Sequence, residues 1–215
     1  YKWNNQINLY GQFVLDEFSL GDIKKSDNSW KNKYGYQLGI KYYNAFRVSD
    51  LLLQLEYNHV RPYVYSHSAP LTNYGHNNQS IGHQWGGNFK ELIAIARYHK
   101  GRYFADAKVT MGTRGLDFDT TENNFNFGGN IYKDYDENRP FDTGVKVGQG
   151  NKTAVFIADF QGGYLVNPAT NLKIFGSYMY RSFDTTKNTV STFSESTNWL
   201  TLGLRADVFN WYFDY

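Results

Sequence analysis

The sequence has no cysteine. Disulfide frameworks and thiolate metal sites are therefore excluded, although missing thiols do not by themselves assign a compartment. It also lacks long apolar runs. The longest uncharged apolar stretches, residues 92–96 and 154–158, fall far short of the ~20 residues a membrane helix needs. A helical membrane protein is excluded, but a β-barrel is not, because a barrel strand needs only about ten residues with one apolar face. A surplus of one charge is missing too, with 22 Lys+Arg against 20 Asp+Glu. Without a basic excess there is no electrostatic footprint for nucleic acid. No initiator Met precedes Tyr1 and no signal peptide is visible, as expected of a cleaved or truncated precursor.

What is present is aromatic. Tyr 19, Phe 16 and Trp 5 make up 19% of the 215 residues, although the mean hydropathy is a polar −0.61. Aromatic and β-branched side chains fit a pleated surface, and period-2 alternation recurs along the chain. Ile7, Leu9, Gly11, Phe13 and Leu15 alternate with Gln6, Asn8, Tyr10, Gln12 and Asp16. Tyr36, Leu38, Ile40 and Tyr42 oppose Gln37, Gly39, Lys41 and Tyr43, and Leu51, Leu53, Leu55 and Tyr57 oppose Gln54, Glu56 and Asn58. The pattern returns in segments around 103–111, 156–164, 172–181 and 200–207. Residues 89–98 are mixed, since Ile93 and Ile95 spoil either face, and are assigned to a strand by position.

The connections have a rhythm. They are tight after the second, fourth and sixth segments (residues 46–50, 99–102 and 166–171). After the others they are long and rich in Asn, Ser, Gly and Asp (residues 19–33, 61–88, 113–150 and 184–198). Short turns at one end and long loops at the other are what an outer-membrane barrel requires, whereas long structureless connections are uncommon in compact soluble folds. The expected fold is all-β: an antiparallel transmembrane β-barrel with about eight strands here. Residues 1–215 form a single domain or the C-terminal portion of one. Because eight strands make a barrel filled with side chains and the chain opens almost inside a strand, the expectation is part of a larger barrel.

Glu56, Asp106, Lys108, Asp159, Lys173, Arg181 and Arg205 lie on the polar faces. Basic residues at mid-bilayer cost roughly 2–4 kcal/mol each, so these seven are expected to line the lumen. Tyr57, Tyr98, Tyr103, Tyr164, Tyr180 and Trp211 near segment ends fit interfacial girdles. The alternative fold is a soluble β-sandwich or lipocalin-like barrel, in which the apolar faces would be core.

No catalytic signature emerges. His59, His67, His76 and His83 cluster around residues 61–88, but their spacing matches no closed zinc pattern, and no metal or cofactor is expected. A protease or lipase would need a nucleophile, a base and an orienting carboxylate; Ser66 and Ser80 lie near these histidines, but the sequence supplies no geometry that joins them, and the chain is expected not to be an enzyme. The Gly128-Gly129 and Gly148–Gly150 stretches lack the strand-to-helix context of a phosphate loop. Asn151-Lys152-Thr153 matches a glycosylation sequon, which means little in a bacterial-type barrel.

Sugar binding is the sharper idea. Trp30, Tyr63, Tyr65, Tyr74, Trp85, Tyr132 and Tyr135 stand in the long connections among Asn, Asp and Gln. Aromatic faces stack on pyranose rings while amides and carboxylates bond the hydroxyls; the competing reading is that these rings fold the loops onto one another.

Two stretches carry a resemblance. One runs Arg61-Pro62-Tyr63-Val64-Tyr65-Ser66-His67, continues through residues 70–80, and ends at His83 and Gly87-Asn88-Phe89. The other is Gly203-Leu204-Arg205-Ala206-Asp207 followed by Asn210-Trp211-Tyr212-Phe213-Asp214-Tyr215. Both resemble the capsule-assembly (Wzi-type) outer-membrane proteins, particularly their gliding-motility relatives termed RemB. The terminal aromatic resembles an outer-membrane assembly signal. The resemblance implies the C-terminal part of a barrel with about twice this many strands, and no enzymatic residues. It also implies a role in organising capsular or surface polysaccharide, or in adhesion and gliding. Where relatives often read His-Pro-Leu-Gly-Ala-Asn, this chain has His83-Gln84-Trp85-Gly86-Gly87-Asn88.

The expected function is a non-enzymatic bacterial outer-membrane barrel whose long extracellular loops bind or organise surface polysaccharide or support gliding and adhesion. The expected partners are membrane lipid, surface polysaccharide and other envelope proteins, and not nucleic acid. The alternatives are a diffusion or transport pore and a structural subunit of an envelope complex.

Overall fold

The computed structural model describes residues 1–206. Asp207 and residues 210–215, which carry the expected assembly signal, and with them Trp211, lie outside the described residues.

Eight strands form one antiparallel up-and-down sheet: β1 Ile7–Glu17, β2 Lys33–Tyr43, β3 Leu51–Val60, β6 Phe89–Lys100, β7 Tyr103–Leu116, β8 Asn151–Asn167, β9 Leu172–Thr185 and β10 Glu195–Arg205, in that spatial order. Between β3 and β6, β4 Gly75–His76 and β5 Gln79–Ser80 make a separate small hairpin. A short helix, α1 Leu20–Lys25, interrupts the first long connection. The Ser19 hydroxyl caps its start by accepting from the Asp22 N–H.

The turns follow from local chemistry. Gly101 at φ +61 supplies the positive φ of the two-residue turn between β6 and β7. Asn44 at φ 49 closes the turn after β2, and its Oδ1 accepts from the Asp50 N–H. Because neighbours are antiparallel, all the short turns fall at one end and all the long connections at the other. Two boundaries move from the sequence expectation: β7 continues to Leu116, and β10 begins at Glu195, so the last connection is shorter.

The sheet is open. β1 pairs through one edge with β2, and β10 through one edge with β9. Residues 1–3 lie antiparallel along the other edge of β1, with a Lys2↔Asn8 bridge and the Leu9 N–H donating to the Tyr1 carbonyl.

Side chains directly opposite one another in an antiparallel pair share a face, so the registers sort the whole sheet. One row reads Gly11, Leu38, Tyr57, Leu92, Met111, Phe156, Ser182, Ser196. The next reads Leu9, Ile40, Leu55, Ala94, Val109, Ala158, Tyr180, Asn198, and the next Ile7, Tyr42, Leu53, Ala96, Ala107, Phe160, Tyr178, Leu200. Then come Leu51, Tyr98, Ala105, Gly162, Gly176 and Leu202. No Asp, Glu, Lys or Arg occurs in these rows, and much of the face is bare: Leu55 is 46% exposed and Leu202 80%. The mixed segment is thereby resolved. Leu92, Ala94, Ala96 and Tyr98 join the apolar face, while Ile93 and Ile95 oppose Glu56 and Gln54 on the other.

Aromatics mark both ends of the apolar face. Phe13, Tyr34, His59, Tyr36 and Tyr57 form a ring ladder on the loop side, and Tyr103 meets Tyr164 edge-on at the turn side. Tyr180 departs from the expectation, standing in the middle of the face opposite Ala158.

The opposite face carries Glu56, Asp106, Lys108, Asp159, Lys173, Arg181 and Arg205. Here Asp106 sits between Arg97 at 4.0 Å and His99 at 3.8 Å. The Tyr10 hydroxyl donates to Glu56 at 2.6 Å, and the amide of Asn58 links Glu56 to Glu91.

Candidate functional site

Burial is concentrated at the loop end. Val60, Phe89 and Val155 project from the polar face and form a buried cluster with Val64 and Trp85 of the third connection; Val14, Tyr65, Ile157 and Phe183 pack against it. Residues 61–88 thus fold back across the top of the polar face. Gly112 makes room for this: a Cβ there would meet the Lys90 carbonyl at 2.5 Å and the Trp85 ring at 2.9 Å. The loop is also anchored by polar contacts, since the ring of His83 sits on the buried Glu91 carboxylate at 2.5 Å and stacks on Phe89.

A second cluster joins three connections: Trp30 from residues 18–32, Tyr63 from 61–88, and Tyr135 and Val145 from 117–150. The Tyr63 N–H donates to the Gly128 carbonyl and its hydroxyl to the Asn126 carbonyl at 2.8 Å. Gly128, at φ +80, allows this approach because a Cβ would lie 2.5 Å from the Tyr63 nitrogen. Burial pushes the Tyr63 phenol well above its ordinary pKa. Arg139 lies 3.8 Å over the Trp30 ring, and the fully buried Lys33 ammonium sits 4.1 Å over Tyr135 while pairing with Glu17 at 3.0 Å.

Asn88 clamps the layer. Fully buried, it donates through Nδ2 toward the carbonyls of Gly115, Phe127 and Gln149, each at 3.0 Å, and accepts from the Gly148 N–H at 2.7 Å. One side chain therefore stitches the start of β6 to the end of β7 and to the longest connection. Its φ of 57 is one that asparagine tolerates better than other side chains.

Between the β4–β5 hairpin, the longest connection and the end of β7 lies an open cleft of about 600 Å³. Trp85 and Tyr132 line it together with amides (Asn78, Gln79, Gln84, Asn130), hydroxyls (Ser80, Ser191, Thr192) and Arg114. Asp117 and Asp119 also border it; both bind the Lys133 ammonium, at 2.7 and 2.6 Å. Burial alone would lower the Lys133 pKa, but those two carboxylates carry it above the ordinary value. Amides and hydroxyls around an aromatic edge are the groups that bind hydroxylated rings, and the volume is typical of a small-ligand site.

The seven aromatics proposed from the sequence thus separate. Trp30, Tyr63, Trp85 and Tyr135 are buried between loops, with their ring faces already occupied. Tyr65 is partly buried and stacks on the exposed Tyr74. Only Trp85 and Tyr132 reach the cleft. Asn88 enters the sequence reading only within Gly87-Asn88-Phe89 and the amides only as a class, while Arg114 carries no sequence signal.

The other candidates are also placed. The Ser66 hydroxyl donates to the Tyr63 carbonyl, and His67 lies 3.8 Å from Asp16. Among the described residues, no three His, Cys, Asp or Glu side chains are grouped so as to hold a metal ion. Asn151 of the sequon is buried, donating to the Lys187 carbonyl. Compared with family models, curated proteins and solved structures, the chain finds no match.

Proposed function

We propose that this chain is a segment of an outer-membrane β-barrel whose apolar face meets lipid, and whose long loops bind or organise surface polysaccharide in a supporting role for capsule, adhesion or gliding. One observation carries the reading: across all eight strands the apolar face holds successive rows without a charged residue, and that face lies exposed. Left in water, so large an apolar patch is an association hazard; against hydrocarbon it costs nothing. The dimensions agree. An 11-residue strand such as β1 extends ~37 Å at ~3.4 Å per residue, which a ~45° tilt reduces to ~26 Å, close to the apolar band of such barrels.

The hydrophobic layer of Val60, Val64, Trp85, Phe89 and Val155 favours a loop-based role over a diffusion pore. A passage along the polar face would meet that layer at the loop end. The resemblance to capsule-assembly proteins points the same way.

The test places tryptophan on each face in turn and measures quenching by brominated phospholipids. Leu202→Trp, on the apolar face, is expected to be quenched strongly, and Ser177→Trp, on the polar face, weakly. Equal quenching of the two would overturn the membrane reading.

A further inference from the structure

Arg114 is the unassigned group of the loop cleft. It projects from β7 on the polar face, where its guanidinium lies 5.5 Å over the Trp85 ring. Among the described residues its one hydrogen bond is from Nη2 to the Trp85 carbonyl at 3.2 Å, while Nε is covered and has no acceptor there. Among the described residues, no carboxylate lies within ion-pairing distance of it. Glu91 acts on the guanidinium through space while His83 and Asn58 bond its oxygens, and the two carboxylates of the cleft share the Lys133 ammonium. A covered guanidinium donor without an acceptor is costly, and a guanidinium is the side chain whose fork fits a carboxylate. Nearby, the Ser80 hydroxyl is also buried without a partner.

We propose that the cleft is a subsite for an acidic saccharide: the Arg114 guanidinium takes the carboxylate of a uronic-acid residue, while the surrounding amides bond the ring hydroxyls. This rests on the polysaccharide reading above and adds the charge class of the sugar. Tyr132, held over Gly75 of the hairpin, borders the same space and offers an edge to the sugar ring.

The experiment titrates the full chain, folded in lipid vesicles, with three probes of equal length: an oligogalacturonate, its methyl ester and a neutral glucose oligomer. Esterification leaves the hydroxyls and the protein untouched and replaces each charged carboxylate oxygen by a neutral methoxy group. The acid is expected to bind about tenfold or more tightly than the ester, the worth of one charge-assisted bond, and to weaken as salt rises. Arg114→Gln is expected to abolish that preference, and Arg114→Lys to retain part of it. Equal binding of acid and ester would overturn the acidic-sugar assignment while leaving the polysaccharide reading in place. A preference that survives in Arg114→Gln would overturn the placement in this cleft. Binding of none of the three would overturn the polysaccharide reading as well.

Discussion

The exposed apolar face makes a prediction that depends on the solvent it meets. Leu55 lies at the centre of that face, with Ile40 and Ala94 opposite on the flanking strands, and is 46% exposed within the protein. Gln54 precedes it and points to the polar side opposite Ile95. If water covers the apolar face, Leu55→Arg replaces one surface residue by another and shifts stability by no more than ~0.5 kcal/mol. If hydrocarbon covers it, the same change places a guanidinium near mid-bilayer at a cost of about 2–4 kcal/mol. That range corresponds to about 30- to 900-fold in the folding equilibrium. Gln54→Arg adds the same group on the opposite face and is expected to change stability by less than ~1 kcal/mol. The assay is guanidinium unfolding of each variant in phospholipid vesicles, followed by tryptophan fluorescence, with the three midpoints compared at equal slopes. The reasoning fails if Leu55→Arg and Gln54→Arg unfold together, or if the protein stays monomeric in detergent-free buffer.

Other outcomes follow from the loop layer. Asn88→Ala removes the donors that hold three carbonyls and the acceptor of the Gly148 N–H. It is expected to destabilise the layer by about 2–4 kcal/mol, read as rapid proteolysis within residues 117–150 while the strand circular dichroism persists. Tyr132→Ala is expected to weaken retention on a polysaccharide column without loosening the loops, whereas Trp85→Ala, which also empties the buried cluster, is expected to do both. Because burial raises the Tyr63 pKa, the folded form keeps a proton that the unfolded form releases. That contribution is complete below the ordinary tyrosine value and is lost as pH climbs from it toward the folded value. An ultraviolet titration of tyrosinate is expected to show Tyr63 ionising last, together with loop unfolding, and Tyr63→Phe should remove that final step.

The strands were legible because their signal is local. Alternation fixes which residues share a face, and a one-residue error would have put Lys108 and Arg181 among leucines. Ile93 and Ile95 defeated that logic because β6 is apolar on both sides, and only pairing with β3 decides which side is which. The long connections were legible as loops, and their aromatics as rings that could fold those loops together, but not which rings meet. Nothing in the spacing of Trp30, Tyr63 and Tyr135, which are far apart in sequence, announces that they meet. Asn88 and Arg114 were equally silent, since one is a clamp only after three loops converge and the other meets the cleft only once the third connection folds over β7.

The two ends of the molecule therefore answer to different forces. Along the strands the apolar side chains stay bare and the sheet gains little from burying them against its own chain, so its stability depends on what covers that face. At the loop end the balance is reversed: Trp85, Phe89 and Tyr63 are buried, Lys33 and Glu91 are paired inside, and the layer holds itself. On the proposed reading, a layer that packs within itself would hold its cleft in one shape whatever covers the strands, so that little ordering would remain to be done when a polymer binds. The expectation is that the loop layer resists proteolysis equally in detergent and in lipid, whereas the strands gain protection from hydrogen exchange only in lipid. Loops that became ordered only in the bilayer would refute this separation.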